Sequence, residues 1–371
     1  MSQFKVNSLE YEDYGEGVRR MRIGVIGLGY WGPNLVRNVQ ASPHAELAAI
    51  CDRDNSVLDN VAQKYPEADR IQEAETLWAR SDIDAVIIAT PSGMHFEHAM
   101  AALDSGKHVF VEKPLAGSSD EAKTLVELAE DAQKVLMVGH TFLYNEVVQE
   151  IKSRIDSGEL GDLYYGYGQR LNLGRFRQDS DVLWTLAPHD VSILNYWFES
   201  KPVRVSCRGM SHVFQEKDIA DVCFCLLEYP QATKVHLHLS WLDPHKVRRM
   251  VLVGKQKMLV YDDTKPGKQI QLFDKGVRKE SQEGPARDYA DFRARLHSGD
   301  IVIPNVQQRE PLAVEVDHFV ECIREEREPL SGPKNGMEVM CVLQALSKSM
   351  QQSGELTKVD YGIIPADMSN D

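Results

Sequence analysis

Between residue 21 and about residue 140, short apolar runs alternate with segments whose apolar residues recur at helical spacing. Residues 21–26, 46–51, 84–90, 107–111 and 135–139 predict strands, and 31–40, 56–64, 95–104 and 119–131 predict helices. The strands are apolar almost throughout rather than at every second position. Strands covered on both faces read this way, so the alternation predicts a parallel sheet with helices on either side. Asp120 and Glu121 suit the start of the fourth helix, where the helix dipole favours negative charge, and Gly106 stops the third.

The pattern changes after residue 140. Residues 144–157 are amphipathic at helical spacing and end at Gly158. Residues 234–241 then alternate polar and apolar without a break, and 204–208, 221–229, 246–253 and 257–261 also read as strands. Such alternation marks an open antiparallel sheet with one buried and one exposed face. An apolar helix over 191–198 and two closing helices, near 312–326 and 337–352, complete the second half. The predicted fold class is α/β: an N-terminal doubly wound parallel sheet, followed by an α+β domain with an open, mainly antiparallel sheet.

The turn after the first strand reads Gly27-Leu28-Gly29-Tyr30-Trp31-Gly32 and opens a helix, and Asp52 ends the next strand. This is a dinucleotide-binding pattern in its proper context. Gly27 permits the tight turn, Gly29 lets the backbone approach a pyrophosphate, and Gly32 lets helix and strand pack closely. The helix N-terminus, with Tyr30 and Trp31, then meets the phosphates. Asp52 suits ribose hydroxyls and repels a 2′-phosphate, so NAD is expected; Arg53 beside it keeps NADP as the lesser alternative. Thr90 and Pro91 end the third strand and are expected beneath the nicotinamide-side ribose. His95 either touches the cofactor or caps the next helix. The apolar strand 107–111 stops at Glu112-Lys113-Pro114, and packing does not require a lysine there. Ligands of such sheets bind beyond the carboxyl ends of the strands, which aims Lys113 at the ligand. The chain therefore divides into a polar extension (1–20), a Rossmann dinucleotide-binding domain (21–140), a substrate-binding and oligomerisation domain (141–365) and a tail (366–371).

Composition narrows the function. A net charge of −14 argues against a nucleic-acid partner. No apolar run is long enough to span a membrane, and the polar N-terminus is no signal peptide. Six scattered cysteines read as small buried hydrophobes of a reducing cytoplasm. His236 and His238 share a strand face without an acidic neighbour, so a subunit contact is expected there and no metal site. Within this acidic chain Arg170, Arg175 and Arg177 lie close together around Asn172. Arginine forks suit a diphosphate or a carboxylate. Tyr144 and Asn145 open the helix that leaves the first domain and are candidate substrate contacts.

Taken together, these residues resemble the Gfo/Idh/MocA family of NAD(P)-dependent oxidoreductases over about residues 21–362. The resemblance is carried by residues 24–32, Ala89-Thr90-Pro91, His95, Gly106-Lys107-His108 and Glu112-Lys113-Pro114. Gly139-His140, residues 158–161, Leu186-Ala187-Pro188-His189-Asp190, Glu310-Pro311-Leu312 and His318-Phe319 add to it. It implies two domains with substrate between them, Lys113 reaching both the nicotinamide ribose and a substrate hydroxyl, and His189 as acid/base. Residues 139–145 and 170–177 look like members that oxidise C3 of a nucleotide-linked hexose. A free-polyol dehydrogenase, a ketosugar reductase and a regulatory protein with a disabled site are the alternatives. Where the family motif places an aspartate, this chain has Thr185, which can bind a sugar hydroxyl but supplies no charge; Asp190 or Asp181 could compensate. His189 follows Pro188 and precedes an apolar helix, whose N-terminal dipole is expected to keep it neutral. The resemblance further implies a homodimer or homotetramer.

Overall fold

The computed structural model describes residues 19–174, 176–230, 233–279 and 294–362. Arg175, nearly all of the N-terminal extension and the C-terminal tail lie outside them. The first lobe runs β1 (Met21–Ile26), α1 (Gly32–Ala41), β2 (Ala45–Cys51), α2 (Asn55–Ala62), β3 (Asp69–Ile71), α3 (Ala74–Trp78) and β4 (Ala85–Ile88). It continues with α4 (His95–Asp104), β5 (His108–Glu112), α5 (Ser119–Asp131) and β6 (Leu136–Gly139). The six strands form one parallel sheet in the order β3-β2-β1-β4-β5-β6. The order reverses at β1/β4, where the crevice of a doubly wound sheet opens. The predicted fold class holds. The short pair β3 and α3 went unpredicted, because three residues with one buried side chain carry almost no pattern.

The second lobe runs α6 (Glu146–Asp156), β7 (Leu163–Leu171), α7 (Val182–Phe198), β8 (Arg204–Met210), β9 (Val222–Glu228), β10 (Lys234–Ser240), β11 (Val247–Gly254) and β12 (Met258–Asp262). β13 (Ile270–Lys279), β14 (Ala294–Val302), α8 (Pro311–Arg324), α9 (Pro333–Gln351) and β15 (Thr357–Lys358) follow. Nine of these strands form a sheet ordered β14-β13-β12-β11-β7-β10-β9-β8-β15. All pairings are antiparallel except β7 with β10. One face is buried under α7 and α9, with Trp197, Cys225, Leu237 and Leu346 in its core. The other face leaves Phe224 and Tyr165 exposed. His236 and His238 lie there stacked on Phe224, with ring centroids 6.3 and 4.5 Å away.

α8 returns to the first lobe. Leu312, Val316 and Phe319 join Val25, Leu35 and Phe110 in one core, and the Phe110 and Phe319 rings meet edge to face at 5.8 Å. Arg37 pairs with Glu310, and Ser42 donates to Asp317 at 2.6 Å. Among the described residues, no helix is long and apolar enough to cross a membrane, and all six cysteines are buried free thiols.

Candidate active site

A cavity of about 1790 Å³ runs from the glycine turn, past the ends of β4 and β5, to α7 and the rim of the nine-stranded sheet. At its first end the three glycines differ in what they permit. Gly27 has φ +90°, and a Cβ there would strike the Ala89–Thr90 backbone. A Cβ on Gly32 would strike the Gly27 carbonyl. A Cβ on Gly29 would meet nothing within 4 Å, so the space above it is open for a pyrophosphate. Tyr30 and Trp31 line this end, with Tyr30 largely exposed. Asp52 accepts the Leu28 N–H at 2.7 Å and the Asp54 N–H at 2.9 Å. It thereby ties the glycine turn to the end of β2 while still facing the cavity. Asp54, Glu73 and Glu75 line the wall with it, against Arg53. This acidic collar fits a ribose with free hydroxyls and opposes a 2′-phosphate. These residues would hold NAD.

Thr90 and Pro91 line the middle of the cavity. The His95 ring lies between two carbonyls, Nδ1 2.7 Å from Pro114 O and Nε2 3.0 Å from Thr90 O. Burial favours the neutral ring, which donates to one of them at a time. His95 thus braces the turns after β4 and β5 at the start of α4, and no side chain caps that helix.

Lys113 leaves the end of β5 and donates from Nζ to the Thr185 carbonyl across the cleft, at 3.2 Å. Burial lowers its pKa, and Glu112 beside it acts the other way. His189 lies on the opposite wall. Its pKa is pushed well down by burial and by Lys113, Arg170, His140 and Arg248. Its Nδ1 is buried without a hydrogen-bond partner, and its ring meets Phe142 edge on at 5.1 Å. The neutral ring was expected, but the helix-dipole reason is corrected. α7 begins at Val182, capped by Asp181, so His189 sits in mid-helix and not at an N-terminus. Its environment, not the dipole, favours neutrality. Pro188 lies inside α7 and lacks the N–H that would bond the Trp184 carbonyl, which loosens the turn carrying Thr185.

The Thr185 hydroxyl donates back to Asp181 O at 3.0 Å and Val182 O at 3.2 Å, leaving its lone pairs for the cleft. Of the two carboxylates that could compensate, Asp190 is locked to Arg170 inside the lobe, with Nη2–Oδ1 at 2.6 Å. Asp181 lines the cavity but serves as the α7 cap, accepting from Trp184 N–H at 2.9 Å.

Several expected substrate contacts need correction. Arg170 is buried and doubly bonded to Asp190, so its fork is not offered to a ligand. Tyr144 is buried with its hydroxyl 2.8 Å from Ser331 Oγ, behind the cavity wall. Asn172 is not part of the wall; it stays against Gly174 and β10. Asn145 and Arg177 do reach the wall, Asn145 as the cap of α6 and Arg177 in a pair with Asp179 at 2.6 Å. Sequence reasoning missed Phe142, Arg248, Asp263, Gln269 and Gln308, which complete the second end. Phe142 lies within the 139–145 segment without a role assigned to it there, and the others come from β11, the loop between β12 and β13 and the segment before α8, which no local motif links. The Arg248 guanidinium pairs with Asp263 at 3.1 Å and lies 5.8 Å from the centre of the Phe142 ring, which Arg170 approaches at 4.8 Å.

Residues 21–140 match the oxidoreductase family with an NAD-binding Rossmann fold, Gfo/Idh/MocA, and residues 148–260 match the Gfo/Idh/MocA C-terminal domain. A 4-carboxy-2-hydroxymuconate-6-semialdehyde dehydrogenase of Sphingobium sp. is 34% identical over 47% of this chain, which spans 58% of that relative's length. A scyllo-inositol 2-dehydrogenase (NAD(+)) of Bacillus subtilis is 26% identical over 84% of this chain and 88% of its own. The solved UDP-N-acetylglucosamine 3-dehydrogenase GnnA of Acidithiobacillus ferrooxidans shares the fold, with a TM-score of 0.74, 23% identity, and coverage of 91% of this chain and 99% of that one. With both lobes matched in sequence, and the glycine turn, Lys113 and His189 gathered at one cleft, the chain belongs to the Gfo/Idh/MocA family of NAD-binding oxidoreductases.

Proposed function

We propose that this protein moves a hydride between a sugar or polyol carbinol and NAD, with Lys113 and His189 as its catalytic residues. The observation that carries this reading is that Lys113 and a neutral His189 line one cavity with the glycine turn. NAD, when bound, supplies the hydride acceptor or donor. His189 lines the cavity as a neutral imidazole, the form that can take the hydroxyl proton on oxidation or return it on reduction. Lys113 anchors the substrate oxygen and stabilises negative charge as it develops there. Phe142, with the Arg170 and Arg248 guanidinium groups near its ring, packs edge on against the imidazole.

C3 of a nucleotide-linked hexose is one form of the substrate. The size of the cavity, about 1790 Å³, with Arg177 in its wall, supports it. A second observation favours a free polyol. Arg177 and Arg248 are each already paired with a carboxylate, and Gln269 bonds Gln308 nearby at 2.9 Å. Such mixed donors and acceptors suit neutral hydroxyls, whereas a diphosphate calls for unpaired cations. Similarity to the scyllo-inositol 2-dehydrogenase points the same way. The exposed aromatic face of the nine-stranded sheet supports a homodimer or homotetramer, and the six buried free thiols suit the cytoplasm.

Thermal shift with UDP, dTDP and inositols, followed by NAD-linked turnover of a sugar and sugar-nucleotide panel, tests the reading. Stabilisation by UDP or dTDP alone would select the nucleotide-linked substrate. Binding of NADH without turnover of any panel member would sink the enzyme reading and favour a regulatory protein.

A further inference from the structure

The catalytic residues leave two carboxyl groups behind Lys113 unexplained. Glu315 sits on the buried face of α8, among Leu312, Val316 and Phe319. It is 0% exposed, and neither of its carboxyl oxygens has a hydrogen-bond partner of good geometry. Glu112, at the end of β5, lines the cavity, and its Oε1 is likewise buried and unpartnered. Gly139 makes room for it: a Cβ there would stand 3.0 Å from the Glu112 carboxyl. A buried polar atom without a partner is costly, and a pair of buried acids more so. Packing alone gives no reason for either group.

We propose that Glu112, beside Lys113 in the cavity wall and with a protonated Glu315 behind it, is a proton-exchanging group that releases a proton when the positively charged oxidised nicotinamide enters the cleft and retains it when the neutral reduced ring does. This rests on the NAD reading of the cavity. In it Glu112 faces the cofactor from the cavity wall, and Glu315 stays protonated behind it.

The electrostatics of the pocket support it. Burial lifts Glu112 to about 7, opposed by Lys113 and by a hydrogen bond from Trp31. Burial and the nearby Glu112 push Glu315 well above the ordinary carboxyl range, opposed by the Thr141 hydroxyl. Two like charges in one dry pocket cannot both form freely, so near neutrality the pair holds at least one proton. Lys113 and Tyr144 are the titratable groups facing the pair. Tyr144 is itself raised by burial and by Glu315. From the adjoining elements, His140 is bonded to Asn335 of α9, and Arg37 of α1 is committed to Glu310. A cation arriving beside Glu112 favours its ionised form and expels the proton to solvent. No such charge arrives with the reduced cofactor. In the oxidation direction the site then has an empty base at the moment the nicotinamide charge disappears.

The test is calorimetric binding of NAD+ and of NADH near pH 7 to the whole protein, in two buffers of different ionisation enthalpy, which counts protons without turnover. The expected result is release of a substantial fraction of one proton with NAD+ and markedly less with NADH. Glu112→Gln should abolish the difference. Glu315→Gln, which replaces a group still protonated when Glu112 titrates, should leave the proton count and its pH dependence close to the parent's. Should Glu315→Gln fail to fold, Glu315→Met, which leaves no buried polar atom, takes its place with the same expectation. Equal proton counts for the two cofactor forms, or a difference surviving unchanged in Glu112→Gln, would overturn the proposal. Absence of cofactor binding would instead overturn the NAD reading on which it rests.

Discussion

The Lys113 ammonium bonds the main-chain carbonyl of Thr185, 3.2 Å away on the opposite wall of the cleft. The lysine is therefore oriented by backbone rather than by a side-chain carboxylate. Lys113→Ala and His189→Asn are expected to lower kcat by roughly 10²–10⁴-fold while NAD binding persists. Thr185→Val should keep the Lys113 contact and change kcat little, raising KM through the lost hydroxyl. Steady-state kinetics with cofactor titration separates these outcomes. Full turnover in Lys113→Ala would remove Lys113 from the chemistry.

Gly29 and Gly32 should respond differently to a methyl group. Nothing lies within 4 Å of a Cβ on Gly29, so Gly29→Ala should melt like the parent protein yet lose cofactor affinity. Gly32→Ala drives its Cβ into the Gly27 carbonyl and should destabilise the fold itself. Thermal melting paired with NAD titration distinguishes the two. Wild-type NAD affinity in Gly29→Ala would place the pyrophosphate elsewhere.

Arg170 and Asp190 form a buried, multiply bonded ion pair. Removing one partner strands the other charge in the core. Asp190→Ala is expected to cost about 3–5 kcal/mol, read as a shift in the urea midpoint. A midpoint unchanged from the parent would show that the pair is solvated.

Stability should fall in acid partly through His140. Its Nδ1 bonds Asn335 at 2.6 Å, and burial lowers its pKa to about 4. The unfolded chain binds the proton first, near pH 6.5. The His140 contribution is therefore complete above pH 6.5 and lost as pH falls to about 4, amounting to about 3 kcal/mol over that span. His140→Gln should flatten the pH dependence of unfolding in this window. An identical slope in the variant would show that His140 does not titrate there.

Much of the first lobe could be read from sequence because its strands are short, apolar and bounded by glycine or helix signals. The predicted helix 119–131 coincides with α5, and the glycine turn with Asp52 placed one end of the cavity. β7 escaped because Tyr164, Tyr165, Gly166 and Gly168 blur its alternation. α7 was shortened because Pro188 reads as a boundary, whereas tertiary packing carries the helix through it. Arg170 was misjudged since sequence shows a charge but not its partner, and Asp190 lies twenty residues away. The Arg248 end of the cavity needed the sheet itself to bring β11 and the loop after β12 to the cleft.

The return of α8 to the first lobe bears on how this protein can be cut and recombined. Phe319 packs on Phe110, and Leu312 and Val316 close the same core. A fragment ending near residue 140 would expose that surface, so the cofactor-binding lobe is no detachable cassette. Chimeras that exchange it between relatives must carry α8 along with it, and any genetic unit for this lobe is discontinuous in the chain.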